Sequence, residues 1–399
     1  MKLLKHFTFF AIIFSLSFSV QSQENKLKVK GVNLDKTQLS VPYAAVGILS
    51  KYVGTSSNED GNFYLELSKN NLLDTLEVSS IGYKTFKIVV KDFLALKEKI
   101  ILLDADMVSL SKIEIKVMKP SQYVKLAFKN LKKNTLSSVH ELKILNRFFA
   151  VEDDKAKFFI EHYLKVKDVG PKGGSKVRRI EVVEGRKSAD YRIYKNANIG
   201  RIYPVDFMTK IDPLRRNISI NDYKWTKIGD TSYDGEGIII VQGVNQVEKR
   251  KNYLDPVLYI GLDTYKVYKT RNKAANVIYI YKKNKDGKLY LSYHQHYTRR
   301  FVDLTDVHQE VLKTTNSKIK LSKRNEVIVL GIETNKKKID VKRTGLHRTK
   351  MEDVPVKYNS FFWENFNLPP PTEFYKKSIK ELEANFGVNI QTQFELVNN

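Results

Sequence analysis

The chain has 399 residues, carries a formal charge of +25, and is 42% hydrophobic and 11% aromatic. That length predicts two or three domains, and that apolar content excludes a chain that is disordered throughout. No cysteine is present, which excludes a disulfide scaffold, a metal site built on cysteines, a cysteine nucleophile and a lipid anchor on an N-terminal cysteine.

Residues 1–22 have the pattern of a secretory signal peptide. Lys2 and Lys5 supply the positive start, an apolar run follows, and small residues precede Gln23, where we predict cleavage. The alternative is an uncleaved anchor, but the apolar run is shorter than the roughly 20 residues that span a membrane and contains several hydroxyl residues. We therefore expect an exported protein, either periplasmic or associated with the outer membrane.

Export changes what the basic composition implies. A basic cytosolic protein would be expected to bind nucleic acid, whereas an exported one meets anionic lipid or acidic glycans. We expect no nucleic acid, and we expect an envelope protein, a lipid or a glycan as the partner. Peripheral contact with an anionic outer-membrane surface is one use of the charge. The lysines are scattered along the chain, which favours a solvated surface as the simpler explanation.

Residues 23–117 are predicted to fold as a small β-sandwich. Apolar and polar residues alternate over short runs, between segments rich in Gly, Asn, Asp and Ser. The predicted strands cover residues 27–32, 44–49, 63–67, 76–79, 86–90, 100–103 and 113–117. Seven strands in about 90 residues is the size of a two-sheet sandwich, and no helix is needed between them.

Three blocks in this region resemble the carboxypeptidase regulatory-like domain. They are Pro42-Tyr43-Ala44-Ala45-Val46, the loop Gly54-Thr55-Ser56-Ser57-Asn58-Glu59-Asp60-Gly61-Asn62-Phe63, and Ser80-Ile81-Gly82-Tyr83. The resemblance implies a transthyretin-like, or prealbumin-like, fold and a module that accompanies other domains. It does not imply a peptidase.

The residues of these blocks have structural explanations. Gly54 and Gly61 permit backbone angles that a side chain opposes, and Asp60 can accept hydrogen bonds from amides of its own loop. Tyr83 has an apolar ring to pack and a hydroxyl for the domain edge. A ligand held by the loop is the alternative, and we expect the structural role.

Residues 118–399 are predicted to form a β-rich domain with two helices, near residues 121–134 and 372–386. The first helix has Ser121 as a plausible N-cap, and the second has Gly387 as a natural C-cap. Each has an apolar stripe at helical spacing. The stripes consist of Val124, Ala127, Phe128 and Leu131 in the first helix and Tyr375, Ile379, Leu382 and Phe386 in the second.

The rest of this region alternates as strands do. Turn residues such as Asp234-Gly235 and Asn284-Lys285-Asp286-Gly287 separate several of the runs. The predicted strands cover residues 143–150, 157–167, 177–183, 223–227, 237–241, 258–260, 264–268, 276–281, 289–297 and 326–332. They predict one curved antiparallel sheet with the two helices covering a face.

This second region also resembles known proteins, namely envelope proteins of Bacteroidota in which a regulatory-like domain precedes a β-rich domain. The matching blocks are Ala127-Phe128-Lys129-Asn130-Leu131, Arg147-Phe148-Phe149, the segment from Glu184 to Arg192, and the segment from Leu258 to Tyr265. Gly261 stands where those proteins have Asp. The resemblance implies an envelope context and no reaction, and the plan of a sheet covered by helices is similar to the half-barrel of periplasmic lipoprotein carriers.

No catalytic constellation emerges from the motifs. His294 and His296 lie two apart on a predicted strand and so face the same side, where Asp303 or His308 could complete a zinc site. Two half-exposed strand residues is the simpler explanation. Neither the His-Glu-x-x-His motif nor the Gly-x-Ser-x-Gly motif occurs. We therefore predict no catalytic residue, no metal ligand and no cofactor.

Two charged segments are candidate anion sites. Arg186, Lys187 and Arg192 could hold an anionic group, or the block that contains them could be a charged turn that prevents pairing at a sheet edge. The segment Gly170-Pro171-Lys172-Gly173-Gly174-Ser175-Lys176 has the wrong spacing for a phosphate loop and is interpreted as a turn.

The acidic pairs lack a partner histidine in the sequence. They are Asp153 with Asp154 and Glu181 with Glu184. Such pairs act as acid and base only if the fold brings them into a cleft.

The sequence thus predicts a mainly β protein, with a seven-stranded transthyretin-like sandwich before a larger curved sheet. Its predicted function is that of a non-enzymatic, exported binding protein of the cell envelope. One alternative is a periplasmic carrier of lipid or acyl chains in a half-barrel groove. The other is a hydrolase with a dispersed site, which requires His294 or His296 in a pocket with acids.

Overall fold

The computed structural model describes residues 26–398, apart from residues 52, 107–117, 175–178, 196–210, 217, 248–253, 274–275, 343–348 and 356. The predicted signal peptide and the predicted strand at 113–117 lie outside the described residues.

Seven strands near the N-terminus form the predicted sandwich. They are β1 (Lys26–Asp35), β2 (Ala45–Ile48), β3 (Val53–Ser56), β4 (Asn62–Ser68), β5 (Thr75–Ser79), β6 (Phe86–Val89) and β7 (Ile100–Leu103). One sheet has the order β4-β1-β7 and the other the order β3-β2-β5-β6. The alternating side chains Phe63, Leu65 and Leu67 of β4 are buried with Leu76 and Val78 of β5, so the core lies between the sheets.

Two local features of the sandwich differ from the prediction. A short helix, α1 (Val90–Ala95), lies between β6 and β7 although none was expected, and its Val90 and Phe93 are buried in the core. The segment predicted as a turn begins as strand β3, because Gly54 pairs closely with Gly47 of β2, where a side chain would collide with backbone atoms. The pairing of two glycines, rather than a turn, explains Gly54.

The C-terminal region forms one sheet of ten strands in the described residues. They are β8 (His140–Glu152), β9 (Lys155–Asp168), β10 (Arg179–Lys187), β11 (Tyr223–Tyr233), β12 (Glu236–Asn245), β13 (Pro256–Gly261), β14 (Val267–Asn272), β15 (Val277–Lys283), β16 (Leu289–Asp303) and β17 (Lys318–Glu333). The order is β10-β9-β8-β17-β16-β15-β14-β13-β12-β11, and every pairing is antiparallel. Each of the ten predicted strands overlaps one of these.

The sheet is curved, as expected. One hydrophobic cluster contains Ile144 of β8 and Leu164 of β9 together with Val241 of β12 and Leu258 of β13, although these strands lie towards opposite ends of the sheet. Strands so far apart share a core only when the sheet twists and wraps around it. We call the face that holds this cluster the inner face and the opposite one the outer face.

The two predicted helices form, but on opposite faces of the sheet. The first divides into α2 (Pro120–Lys129) and α3 (Leu131–Asn134) and buries Val124 and Ala127 in the inner-face cluster. Further helices of the described chain are α4 (Asp306–Leu312), α5 (Ser360–Asn365), α6 (Glu373–Phe386) and α7 (Ile390–Asn398). Leu382 of α6 packs on Phe149 and Phe159, which alternation places on the outer face.

The helix caps were predicted in part. Gly387 has a φ of +73° and ends α6 as expected, and Thr372 begins it by accepting a 3.0 Å hydrogen bond from the Tyr375 amide. The N-cap of α2 is Lys119 rather than Ser121. Pro120 occupies the first helical position, and the Gln122 side chain accepts a 2.7 Å bond from the Lys119 amide.

Candidate functional site

The sandwich packs on the outer face of the large sheet. Tyr43 of the first signature block stacks on Tyr293 of β16, with ring centroids 4.3 Å apart. Lys282 of β15 donates to the Ser56 hydroxyl, and to the Thr55 carbonyl at 3.3 Å. These contacts place two of the three signature blocks at the junction between sandwich and sheet.

The signature loop fastens this junction. Glu59 forms an ion pair of 2.5 Å with Arg324 of β17, and the Asp60 carboxylate accepts a 2.7 Å bond from the Glu373 amide at the start of α6. The expectation that Asp60 would bond amides of its own loop is wrong. Asn58 does so instead, accepting from the amides of Asp60 and Asn62 at 2.9 Å each.

A cavity of about 590 Å³ lies between the sandwich and the sheet. Its walls come from both parts of the chain. The sandwich contributes Pro42, Tyr43, Ser79, Ser80, Ile81 and Tyr83, and the sheet contributes Tyr259, Lys269, Arg271, Ile278, Ile280 and Lys282, among others. This volume is in the range of small-molecule sites, so we take this sandwich–sheet cavity as the candidate site.

Two lysines in the cavity are held in an environment that disfavours their charge. Burial lowers the pKa of Lys282 to about 7. Burial and then the neighbouring Arg271 charge lower the pKa of Lys269 to about 8. The Lys269 ammonium lies 5.2 Å from the Tyr259 ring centroid. Lysines with lowered pKa values in a cavity mark a functional-site candidate.

The histidine pair does not form a metal site. His294 is buried, stacks on Tyr279 with centroids 4.4 Å apart, and lies against the Ile278 carbonyl at 3.2 Å. Burial lowers its pKa to about 3, so it is neutral at pH 7. Asp303 lies about 23 Å beyond His296 along β16. No group of three metal-binding side chains occurs among the described residues.

His308 also has hydrogen-bond partners of its own, away from the histidine pair. Its Nδ1 lies 2.9 Å from the Tyr194 hydroxyl and 3.0 Å from the Thr305 hydroxyl. The geometry that the hydrolase alternative requires, a histidine in a pocket with acids, is not formed by the histidines weighed in the sequence.

The arginines of the charged block from Glu184 to Arg192 form ion pairs and have a structural role. Residues 184–187 belong to β10 rather than to a turn, and Arg186 is buried against Glu161, with Nη2 to Oε2 at 2.5 Å. Its guanidinium also lies over the Trp363 ring, 4.2 Å from the centroid. Arg192 pairs with Asp190 and Glu352 at 2.9 and 3.2 Å. Both arginines are thus already paired with carboxylates.

The other segments weighed in the sequence also have structural partners. Asp153 and Asp154 form the β8–β9 turn with positive φ and contact Lys320. Glu181 accepts from the Lys342 amide at 2.9 Å. Of the glycine-rich segment, the described part contains a short 3-10 turn over Pro171–Gly173.

Sequence reasoning missed a buried polar network on the inner face. Arg215 lies between Asp168, at 2.5 and 3.0 Å, and Asp212, at 3.7 Å. Asp212 also accepts from the Tyr281 hydroxyl, and burial raises its pKa to about 6. His140 Nε2 lies 3.9 Å from Asp168. Their spacing in the sequence gives no signal, because four separate segments contribute them.

Fold and cavity define a class: a β-sandwich docked on a large curved antiparallel sheet, with a ligand-sized cavity between them. Residues 29–115 match the CarboxypepD_reg-like domain family. The N-terminal part of the chain is therefore a carboxypeptidase regulatory-like domain, as the three signature blocks predicted.

Similar solved structures cover about half of this chain. A DUF1329 family protein from Desulfovibrio piger ATCC 29098 has 8% identity and a TM-score of 0.27, covering 56% of this chain and 96% of that one. A putative outer membrane lipoprotein-sorting protein domain from Vibrio parahaemolyticus has 8% identity and a TM-score of 0.27, covering 55% and 94%. A LolA superfamily protein from Nitrosomonas europaea has 10% identity and a TM-score of 0.22, covering 52% and 93%.

No curated protein matches the chain. Within the described residues, no helix has both the length and the apolar character needed to cross a membrane.

Proposed function

We propose that this protein is an exported, non-enzymatic binding protein of the cell envelope and that its ligand occupies the sandwich–sheet cavity. The observation that carries the proposal is the cavity itself: about 590 Å³, walled jointly by the regulatory-like domain and the outer face of the sheet. The signal pattern at residues 1–22 supports export.

The residues around the cavity support ligand binding. Tyr43, Tyr83 and Tyr259 give it aromatic walls, and Ile278 and Ile280 give it an apolar floor. The charged lining residues are Lys269, Arg271, Lys282 and the acid Asp230. A mainly apolar and aromatic lining with a few polar groups is typical of a ligand-binding site.

The test is native mass spectrometry of the mature protein extracted gently from its own envelope. We expect a bound small-molecule mass on the wild type and none on Ser80→Trp, whose indole would take up part of the cavity and obstruct the ligand. Ser50→Trp, on the exposed surface of the sandwich, is the matched control and should keep the bound mass. A bare wild-type protein, or a bound mass that survives Ser80→Trp, would refute the proposal.

A carrier of lipid or acyl chains is the second candidate, favoured by helix α2. This helix covers the apolar inner face with Tyr123, Val124 and Ala127 and turns Lys125 and Lys129 to solvent, as a displaceable lid would. A fluorescent fatty acid distinguishes the two candidates. A carrier that uses the inner face should bind it equally well in wild type and in Ser80→Trp. No binding to the wild type, or loss of binding in the variant, would contradict the carrier.

A further inference from the structure

Three cations line the floor of the sandwich–sheet cavity. The Lys269 ammonium lies over the Tyr259 ring, and Lys282 donates to Ser56. Lys269 and Arg271 alternate along β14, so their side chains leave the same face of the sheet. Ile280 of β15 pairs with Lys269, which makes Lys282 its diagonal neighbour, with backbones about 7–8 Å apart. Side chains as long as those of lysine and arginine can therefore converge on one group in the cavity.

The cavity holds too little negative charge for these cations. Among the described residues, neither Lys269 nor Lys282 has a carboxylate within 4.0 Å. Asp230 is the acid among the lining residues, and it is already paired with Lys227 at 2.5 Å. Lys282 is buried and Lys269 partly buried, whereas Arg271 is exposed. A buried cation without a counter-ion is costly, and an anion bound in the cavity would reduce that cost.

The type of cation indicates the type of anion. A single carboxylate needs one cationic partner, whereas a phosphate has several oxygens and up to two charges to share among an arginine and two lysines. The lowered pKa values of Lys269 and Lys282 agree with an environment that lacks its anion. Ile278 and Ile280 beside the cations provide an apolar surface for whatever the phosphate is attached to.

We propose that the sandwich–sheet cavity is a phosphate-binding site in which Lys269, Arg271 and Lys282 hold the phosphate group. This inference rests on the proposed function, because it names the ligand chemistry of the same cavity. The phosphate belongs either to the headgroup of an amphiphile or to a free phosphate ion.

Isothermal titration calorimetry of the mature protein with four probes tests this. The probes are hexyl phosphate, inorganic phosphate, hexanoate and hexanol. We expect hexyl phosphate or inorganic phosphate to bind at least about 10-fold more tightly than hexanoate, and hexanol not to bind, since charge-assisted hydrogen bonds are stronger than neutral ones. Hexyl phosphate tighter than phosphate identifies an amphiphile, and equal affinities identify free phosphate.

Variants show whether the cations are responsible. Lys269→Met and Lys282→Met should each weaken hexyl phosphate at least about 10-fold. Lys285→Met, in an exposed turn, is the matched control and should bind as the wild type does. If a methionine variant fails to fold, Lys282→Arg, which keeps the charge, supplies the comparison and should retain binding. The 31P NMR signal of the bound phosphate should also shift in the wild type.

The outcomes separate this inference from the proposed function. Equal affinity for hexanol and hexyl phosphate, or unchanged binding in both methionine variants, would overturn the phosphate site. A neutral molecule recovered from the wild-type cavity and lost in Ser80→Trp would do the same while leaving the proposed function intact.

Discussion

At the scale of single residues, buried ion networks set the pH behaviour of this protein. Glu161 lies between Arg147 and Arg186, and the two arginines lower the pKa of its carboxyl group against the opposing effect of burial. Asp212 is the opposite case, because burial outweighs the Arg215 charge and raises its pKa to about 6. The contributions of these two carboxyl groups to stability therefore respond to acid in opposite directions.

Removal of the Glu161 charge should destabilise the fold strongly. In Glu161→Gln, two buried guanidinium groups lose their counter-ion, and we expect a loss of about 3–5 kcal/mol in the free energy of unfolding at pH 7. Urea denaturation followed by circular dichroism measures it. Because the folded-state pKa of Glu161 is lowered, its stabilisation is present above the unfolded pKa and is lost as the pH falls.

The matched control for Glu161 is Glu98→Gln. Glu98 is exposed on the sandwich and should tolerate the change within about 0.5 kcal/mol. Equal losses in the two variants would contradict the role assigned to the buried pair.

Asp212 should make stability fall with rising pH. Its folded-state pKa of about 6 exceeds the ordinary 3.8, so the folded state binds more protons between these values, and the stability it contributes at low pH is lost as the pH rises through about 6. In Asp212→Asn this fall between pH 4 and 6 should disappear from the thermal-unfolding profile. The control is Asp92→Asn, on the exposed surface of α1, which should have the same profile as the wild type. A wild-type profile in Asp212→Asn would contradict the raised pKa of Asp212.

At the scale of elements, turns and helix ends that the sequence predicts form where no tertiary contact opposes them. Gly387 is such a case: its φ is +73°, and nothing lies within 4 Å of the position that a Cβ would occupy. The β11–β12 turn is another, with Asp234 and Gly235 at φ of +53° and +77°. Both were predicted because their conformations follow from the residues themselves.

Gly387→Ala should cost about 1 kcal/mol in the free energy of unfolding, because alanine resists the left-handed conformation. Gly387→Asn should cost less, since asparagine tolerates this region better. Chemical denaturation of both variants measures the difference. Equal stability of the alanine variant and the wild type would mean that the helix end adjusts at no cost.

At the scale of the whole molecule, the signature loop of the regulatory-like domain joins the sandwich to the large sheet and to α6. Asn58 holds the loop shape, Glu59 reaches Arg324, and Asp60 reaches the Glu373 amide. The loop therefore maintains the junction that encloses the sandwich–sheet cavity.

The double variant Glu59→Gln/Asp60→Asn should loosen this junction. Each change weakens a charge-assisted hydrogen bond of about 1.5–3 kcal/mol, so amide hydrogen exchange at the start of α6 should rise at least about 10-fold. Exchange within the sandwich core should not change. Asp92→Asn is the control and should exchange as the wild type does. If the double variant also matched the wild type at residues 373–375, the role of the loop would be contradicted.

The sequence by itself determined the ten strands of the large sheet, the helix end at Gly387 and the regulatory-like domain. Period-two alternation marks a strand whatever the strand pairs with, and each of the ten strands of the large sheet was found in that way. Gly387 and the Asp234-Gly235 turn are local as well. The signature blocks matched a family because their spacing is fixed within one small domain.

Only the tertiary structure decided which faces the helices cover and where the cavity lies. The apolar stripes of α2 and α6 predict that one side of each helix packs on the sheet. They do not indicate on which face of the sheet each helix packs. In the sequence nothing distinguishes the cavity cations from other surface lysines and arginines. Only the docked sandwich places Lys269, Arg271 and Lys282 in one cavity. Likewise Asp212 pairs with Tyr281 across 69 positions of sequence. Contacts between distant segments depend on how twisted sheets pack, and residue spacing contains no information about that.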